Sequence, residues 1–426
     1  MSNSAQYRRW TLHVGSWLAP AASVTAIAFA LAAGVPPGAQ AQTYKVIHNF
    51  TGGSDGSNPQ AGLAIDRAGN LYGTASEGGN AGSFGTVFRL VHSGSNWIFY
   101  PLYDFQGSYD GANPLGPLTI GPDGAFYGTT LAGGSSTCGG QCGVVFRLRP
   151  PATAPPSALT RWDEAVLYAF TGLDGSEPVY PQLLFDQAGN LYGATQFGGS
   201  HGGGVVFEMT PSGGGWTEKV LYGGFEGDSP TGSQPYSGVV MDNAGNLYGT
   251  TSVGGDPGDG VVYEISPTQN GWVQTILHSF RNGPDGGLSF GGLVMDQAGN
   301  LYGGTVSGGG GDCGVIYELS PSNGGWSFAP IYNLPPCGGG PYETLTLDAA
   351  GNIYGTAFAD GVGGAGMVFK LSKSNGSWTL TDLHNFSFET EYFPYGAVTI
   401  GANGNLYGTA SGGGVYGHGA VWEITP

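Results

Sequence analysis

A chain of 426 residues exceeds the usual size of one domain, so internal repetition has to be weighed before the length is divided. Its 83 glycines and 10% charged residues would suit low complexity, but 40% apolar and 12% aromatic residues supply a large core and exclude a disordered chain. The formal charge of -18 repels phosphate backbones and anionic lipid, which argues against nucleic acid as a partner.

The chain begins with a leader. Tyr7-Arg8-Arg9-Trp10 gives a basic start, the run from Val24 to Ala33 an apolar middle, and Ala39-Gln40-Ala41 a small-residue cleavage pattern. Residues 1–41 are therefore expected to be a secretory signal peptide, cut after Ala41. Arg8-Arg9 fits a twin-arginine signal but Thr11-Leu12-His13 departs from it, which leaves the export route open. Pro20, Pro36 and Pro37 and the shortness of the apolar run argue against a membrane anchor, and the mature chain has no other stretch apolar enough to span as a helix. Losing Arg8 and Arg9 leaves 10 basic against 30 acidic residues, a solvated acidic surface.

From Gly62 to Thr74 runs a stretch, ending Ala68-Gly69-Asn70-Leu71-Tyr72-Gly73-Thr74, that recurs seven times. Its turn glycines are Gly69, Gly124, Gly189, Gly245, Gly299, Gly351 and Gly404, at spacings of 55, 65, 56, 54, 52 and 53. A period of this length, built from short apolar runs between glycine-rich turns, predicts an all-β seven-bladed propeller of four-stranded antiparallel blades. The longer second interval holds the proline-rich insertion from Pro150 to Pro156. Repeat cores fall at about 62–105, 117–170, 182–225, 238–280, 292–334, 344–386 and 397–426.

In the first unit strand A is expected at Gly62–Asp66, B at Asn70–Ala75, C at Thr86–Val91 and D at Trp97–Phe105. Asp66 stabilises the A-to-B turn; Gly121 and Gly401 replace it in two units, as befits a turn residue and not a catalyst. Strand B carries Tyr-Gly in every unit, which suits a large ring filling the gap left by glycine on a neighbouring blade. Strand D is marked by Trp followed six residues later by Tyr or His, as in Trp97 and Tyr103 or Trp272 and His278. Six such strands follow A-B-C units, and the seventh lies at the other end of the chain. Tyr44-Lys45-Val46-Ile47-His48-Asn49-Phe50 matches Asp382-Leu383-His384-Asn385-Phe386, so residues 43–50 are expected to complete the last blade and cover its edge.

Ala-Gly-Asn-Leu-Tyr-Gly-Thr, then Gly-Gly, then a Val-Phe-Lys/Arg/Glu-Leu strand, resembles the choice-of-anchor tandem repeat GloVer-containing proteins of bacteria. The Tyr-to-Gly-Gly spacing recurs at Tyr72/Gly78, Tyr127/Gly133, Tyr192/Gly198, Tyr248/Gly254, Tyr302/Gly308 and Tyr407/Gly413, while the sixth unit has Asp360-Gly361. The resemblance implies an exported protein of no established activity. With no sorting segment before Pro426, a periplasmic or released protein is expected.

Propeller connections alternate between faces, so the D-to-A and B-to-C loops are expected to share one. That face carries Asp55, Asp110, Asp174 and Asp285, each before a glycine, and the aromatics Tyr180, Tyr236, Phe290, Tyr342 and Tyr395. The Asp-Gly pairs read either as repeated tight turns or as a weak cation ring, without the ligand density of a dedicated calcium loop. The aromatics read either as anchors for each loop or as a platform stacking on sugar rings. Glu389 and Glu391 break the repeat and are the least implausible acid/base residues. His48, His278 and His384 occupy the strand D tyrosine position and are expected to pack; His201 and His418 are isolated in loops, so no metal site and no cofactor are expected. Disulfides are expected between Cys138 and Cys142 and between Cys313 and Cys337. These readings point to a non-enzymatic scaffold binding a glycan or protein ligand, with a propeller enzyme acting on extracellular polysaccharide or a small molecule as the alternative. Oligomeric state is left open.

Overall fold

The computed structural model describes residues 42–151, 162–227, 229–335 and 339–426. Seven four-stranded antiparallel sheets succeed one another along the chain as the blades of a propeller. Blade 1 consists of strand A at Ala64–Ile65, B at Leu71–Ala75, C at Thr86–Ser93 and D at Asn96–Asp104. Strand A is thus shorter than its apolar run. The remaining blades repeat this order, each with a two-residue strand A innermost. The proline-rich insertion of blade 2 runs into residues 152–161, outside the described residues, between strand C at Val144–Arg149 and strand D at Asp163–Ala169.

Blade 7 takes strands from both ends of the chain. Thr43–Asn49 pairs antiparallel with Ala420–Thr425, Tyr44 facing Ile424 and Val46 facing Trp422. The next residue, Phe50, is fully buried in the core between blades 7 and 1. The N-terminal strand is therefore the outer strand of the last blade.

Seven buried clusters lie at the seven blade interfaces. Strand D shows how a blade serves two of them. Trp97 packs on Tyr407 of blade 7, whereas Tyr103 belongs to the core shared with blade 2. Six residues apart on a regular strand, both would face the same way, because side chains alternate with period two. A β-bulge separates them: the register slips between Val87 and Phe88, which pair with Tyr103 and Pro101 and skip Leu102. Leu102 and Tyr103 then both face the next blade. The same slip occurs in strand D of every blade, the N-terminal strand included.

The Tyr-Gly pair of strand B packs differently from the sequence expectation. Tyr72 does reach the next blade, lying 4.1 Å from Phe126. The space over Gly73, however, is filled from within its own blade: a Cβ there would come 2.5 Å from Phe88, its cross-strand partner on strand C. Trp422 fills the same space over Gly408. The threonine that follows ties blades together. Thr74, Thr129, Thr250, Thr356 and Thr409 each donate to a carbonyl of the next blade's D-to-A loop, at Gly116, Pro178, Gly291, Gly396 and Ala61.

Asp66 closes the A-to-B hairpin by accepting from the amides of Ala68 and Asn70, the Asn70 side chain and the Tyr72 hydroxyl. These bonds hold its carboxyl below its usual pKa despite the opposing cost of partial burial. Where Gly121 and Gly401 replace it, Asp123 and Asn403 accept from the turn two residues later.

Candidate functional site: the channel and its aromatic mouth

The inner A strands line a central channel, and the D-to-A loops lead into it. In blades 1 to 5 antiparallel bridges join these loops to the B-to-C loop of the same blade, for example Ser57 to Glu77 and Ser233 to Val253, and in blade 7 Glu391–Tyr392 pairs with Gly412–Gly413, which puts both loop types on one face. Four residues before each strand A lies a ring position held by Gln60, Leu115, Tyr180, Tyr236, Phe290, Tyr342 and Tyr395. The five aromatics expected on this face are therefore consecutive, from blade 3 to blade 7.

They touch. Tyr236 meets Phe290 edge-on at 4.8 Å, Phe290 stacks on Tyr342 at 4.7 Å, and Tyr342 meets Tyr395 edge-on at 5.2 Å. Phe358, from a B-to-C loop, stacks on Tyr395 at 5.3 Å. Tyr180 is set apart by its loop, which is one residue longer than its counterparts between the shared proline, Pro178, and strand A. Its amide bonds Tyr236 O, its ring lies 6.0 Å from that of Tyr342, and its hydroxyl donates to Gln60 Oε1 of blade 1. Only 8% exposed, Tyr180 crosses the mouth and plugs it, while the other four rings are half-buried.

Beneath this plug lies a carboxyl that the repeat pattern concealed. Glu343 follows Tyr342 at a position otherwise held by Ala61, Gly116, Pro181, Ser237, Gly291 and Gly396. It is 6% exposed, and its Oε2 accepts from the amides of Gly62 in blade 1, at 3.0 Å, and Ala397 in blade 7. Its Oε1 is buried without a hydrogen-bond partner among the described residues. Burial pushes this carboxyl up to about 8, against the pull of the two amides. The signal was present as the sole charged residue in that repeat column, hidden in a glycine-rich loop.

The four aspartates of the same face lie elsewhere. Each is tied to strand D of the preceding blade, the outermost strand, or to the residues just after it. Asp110 accepts from Tyr103 and Gln106 N, Asp174 from Tyr168 and Thr171 N, and Asp55 from Thr51, while His48 and His278 approach Asp55 and Asp285 at 3.3 and 3.2 Å. They brace the blade rims and are not brought together. Among the described residues no group of three His, Cys, Asp or Glu gathers as a metal site.

The rim also holds two carboxyl pairs that the sequence reading passed over. Glu164 faces Asp110 and Glu218 faces Asp174 across successive blade interfaces, and burial first, then the facing carboxylate, raises each glutamate to about 7. Where the preceding strand D carries His in place of Tyr, the facing residue is aromatic: His48 stacks on Phe99, His278 on Phe328 and His384 on Tyr44. Glu391 is buried beside Tyr44, whose hydroxyl donates to it, and Glu389 lies on the adjoining turn. His201 bonds within its own loop and His418 meets Ser57 Oγ at 3.2 Å. Cys138 and Cys142 form a disulfide within one B-to-C loop, their α-carbons 5.3 Å apart. Cys313 is buried, its thiol donating to Gly311 O; the pairing expected for it involves Cys337, which lies outside the described residues.

The Gloeobacter/Verrucomicrobia repeat matches residues 38–227, 143–297 and 268–426, overlapping segments that leave no part of the propeller uncovered. The chain belongs to this repeat family. No curated protein matches the sequence. Among solved structures it is similar to a fungal alcohol oxidase of the AA5 family in complex with copper, at 15% identity and a TM-score of 0.52, covering 90% of this chain and 76% of that one. It is also similar to PorZ, a bacterial surface component of the type-IX secretion system of Porphyromonas gingivalis, at 13% identity and a TM-score of 0.51. That match covers 86% of this chain but only 46% of PorZ. At such identities the likeness extends to the propeller fold alone, which hosts both enzymes and non-enzymes. What distinguishes this family member has to be sought in its own channel mouth.

Proposed function

We propose that this chain is an exported binding scaffold, periplasmic or extracellular, whose ligand is a glycan docking on the aromatic mouth of the propeller. The observation that carries the reading is the unbroken series of rings from Tyr180 to Tyr395, contributed by five consecutive blades. Half-buried aromatic rings held by their neighbours present apolar area at little entropic cost, the property that suits contact with the apolar faces of sugar rings. The leader at residues 1–41 and the acidic, lysine-poor surface fit a protein that works outside the cytoplasm.

The rival reading, a channel-mouth enzyme acting on polysaccharide, draws on Glu343, a carboxyl raised to about 8 as a general acid requires. Glycoside hydrolysis ordinarily uses two carboxyls flanking the bond. Among the described residues lining the channel cavities, Glu343 is the sole acid, which favours binding over turnover. The test is a glycan array probed with the purified protein, followed by chromatography of any bound glycan after incubation. Binding that falls at least about tenfold in Phe290→Ala and Tyr236→Ala supports the scaffold. Cleavage of the glycan, or no binding to any glycan, sinks it.

A further inference from the structure

The channel below the mouth has a chemistry of its own. Glu343 lines a cavity of about 330 Å³ whose wall comes from the A strands of blades 1, 2, 6 and 7. Apolar walls from Ala64 and Pro117 alternate there with the hydroxyls of Thr119, Thr346 and Thr399. Those hydroxyls have already spent their protons, donating to the carbonyls of Leu183, Val398 and Leu63. They offer only lone pairs to the cavity. Apart from the Gln182 amide, which can donate as well as accept, the polar wall is thus rich in acceptors, with one carboxyl whose enclosed second oxygen has no protein partner among the described residues. Leaving such an oxygen buried and unpaired costs free energy that a donor in the cavity would recover.

The charge and composition of the wall choose the class of donor. One carboxylate balances one positive charge, and a dedicated divalent site concentrates several carboxylate and carbonyl oxygens around the ion. Apolar wall segments suit a carbon chain better than a hydrated metal. We infer that the channel binds a small organic monocation, a primary alkylammonium, with its N–H₃⁺ group on Glu343 Oε1 and its alkyl chain along the strand A wall. Tyr180 closes the site from the loop face. Because burial holds the empty site's carboxyl protonated at neutral pH, the ammonium displaces that proton to solvent on binding. The site is independent of glycan binding at the mouth.

The test is calorimetry of the purified protein at pH 7 with n-butylammonium, tetramethylammonium, n-butanol and calcium as separate probes, repeated in two buffers of different ionisation enthalpy. The inference expects saturable binding of n-butylammonium alone, a buffer dependence corresponding to nearly one proton released, and a loss of at least about tenfold in affinity in Glu343→Gln with no proton release. Glu218→Gln, at the blade rim, should leave this binding unchanged. If Glu343→Gln does not fold, Thr399→Val replaces it, with an expected loss of about threefold or more. No saturable heat with n-butylammonium, unchanged affinity in the variant that folds, or calcium binding in its place would each overturn the inference.

Discussion

Tyr180 of blade 3 donates its hydroxyl to Gln60 Oε1 of blade 1, so a single hydrogen bond spans the mouth between blades that are not neighbours. Like the bonds from Gly62 N and Ala397 N to Glu343, this contact has no counterpart in the repeat: it depends on the lengthened blade 3 loop and on the one amide side chain in the ring. Tyr180→Phe should cost about 1 kcal/mol, the net worth of a buried hydrogen bond, and Tyr180→Ala about 3–5 kcal/mol through the cavity it opens. Urea denaturation measures both; equal costs for the two variants would mean that the hydroxyl alone carries the plug.

Gly193 and Phe207 are cross-strand partners in blade 3, and a Cβ on Gly193 would lie 2.6 Å from the Phe207 ring. Gly193→Ala should therefore destabilise by about 1–3 kcal/mol through overpacking. Phe207→Leu should recover part of that loss in the double variant, although it is itself destabilising. A double-mutant cycle reads the coupling, and additive costs would show that the glycine serves a neighbouring blade instead.

The outer strand Thr43–Asn49 covers the edge of Ala420–Thr425. Removing residues 42–50 uncovers that edge and vacates the site of Phe50, so the truncated chain should self-associate and melt well below the parent. A synthetic peptide of residues 42–51 added in trans should restore the monomer and most of the melting temperature. Light scattering and thermal melts decide, and an unchanged monomeric melt without the peptide would rule out the closure as a source of stability.

Glu164 and Glu218 make stability depend on pH. Their carboxyls sit at about 7 in the folded protein and near 4.5 in the unfolded chain, so the unfolded state releases its protons first as pH rises. The stability they favour is present in full below about pH 4.5 and is lost as pH rises to about 7. Glu164→Gln and Glu218→Gln should flatten this decline, with the gain over the parent growing from pH 5 to pH 8. Melts across that range check the sign: a gain confined to low pH would reverse the assignment.

The Cys138–Cys142 bridge closes a very short loop, and loop-closure entropy grows with the length enclosed. Its reduction should lower stability by about 2 kcal/mol or less and leave the blade intact. Melts with and without reductant measure this; global unfolding on reduction would contradict it.

The blade count, the closure by residues 43–50 and the shared loop face were legible because seven copies register one another, each correcting the others' local ambiguity. Glycine positions could be seen, but not what filled them: Gly73 and Phe88 are fifteen residues apart and meet only through the pairing of strands B and C. The bulge at Leu102 left no mark, since an extra residue within a ladder looks the same as a strand one residue longer. Glu343 escaped for another reason. On the loop face the aspartates and aromatics stand out because they recur, whereas the carboxyl at the channel is informative because its six counterparts are small or uncharged.

Pairing of Thr43–Asn49 with Ala420–Thr425 also sets the order of events in folding. Six blades lie in sequence between Thr43–Asn49 and its partner Ala420–Thr425, so during synthesis the outer edge contributed by Tyr44 and Val46 waits while those six blades form. The ring is thus assembled open and sealed after its sixth blade, and strand Ala420–Thr425 acts as a checkpoint: a product truncated before it leaves Thr43–Asn49 without a partner.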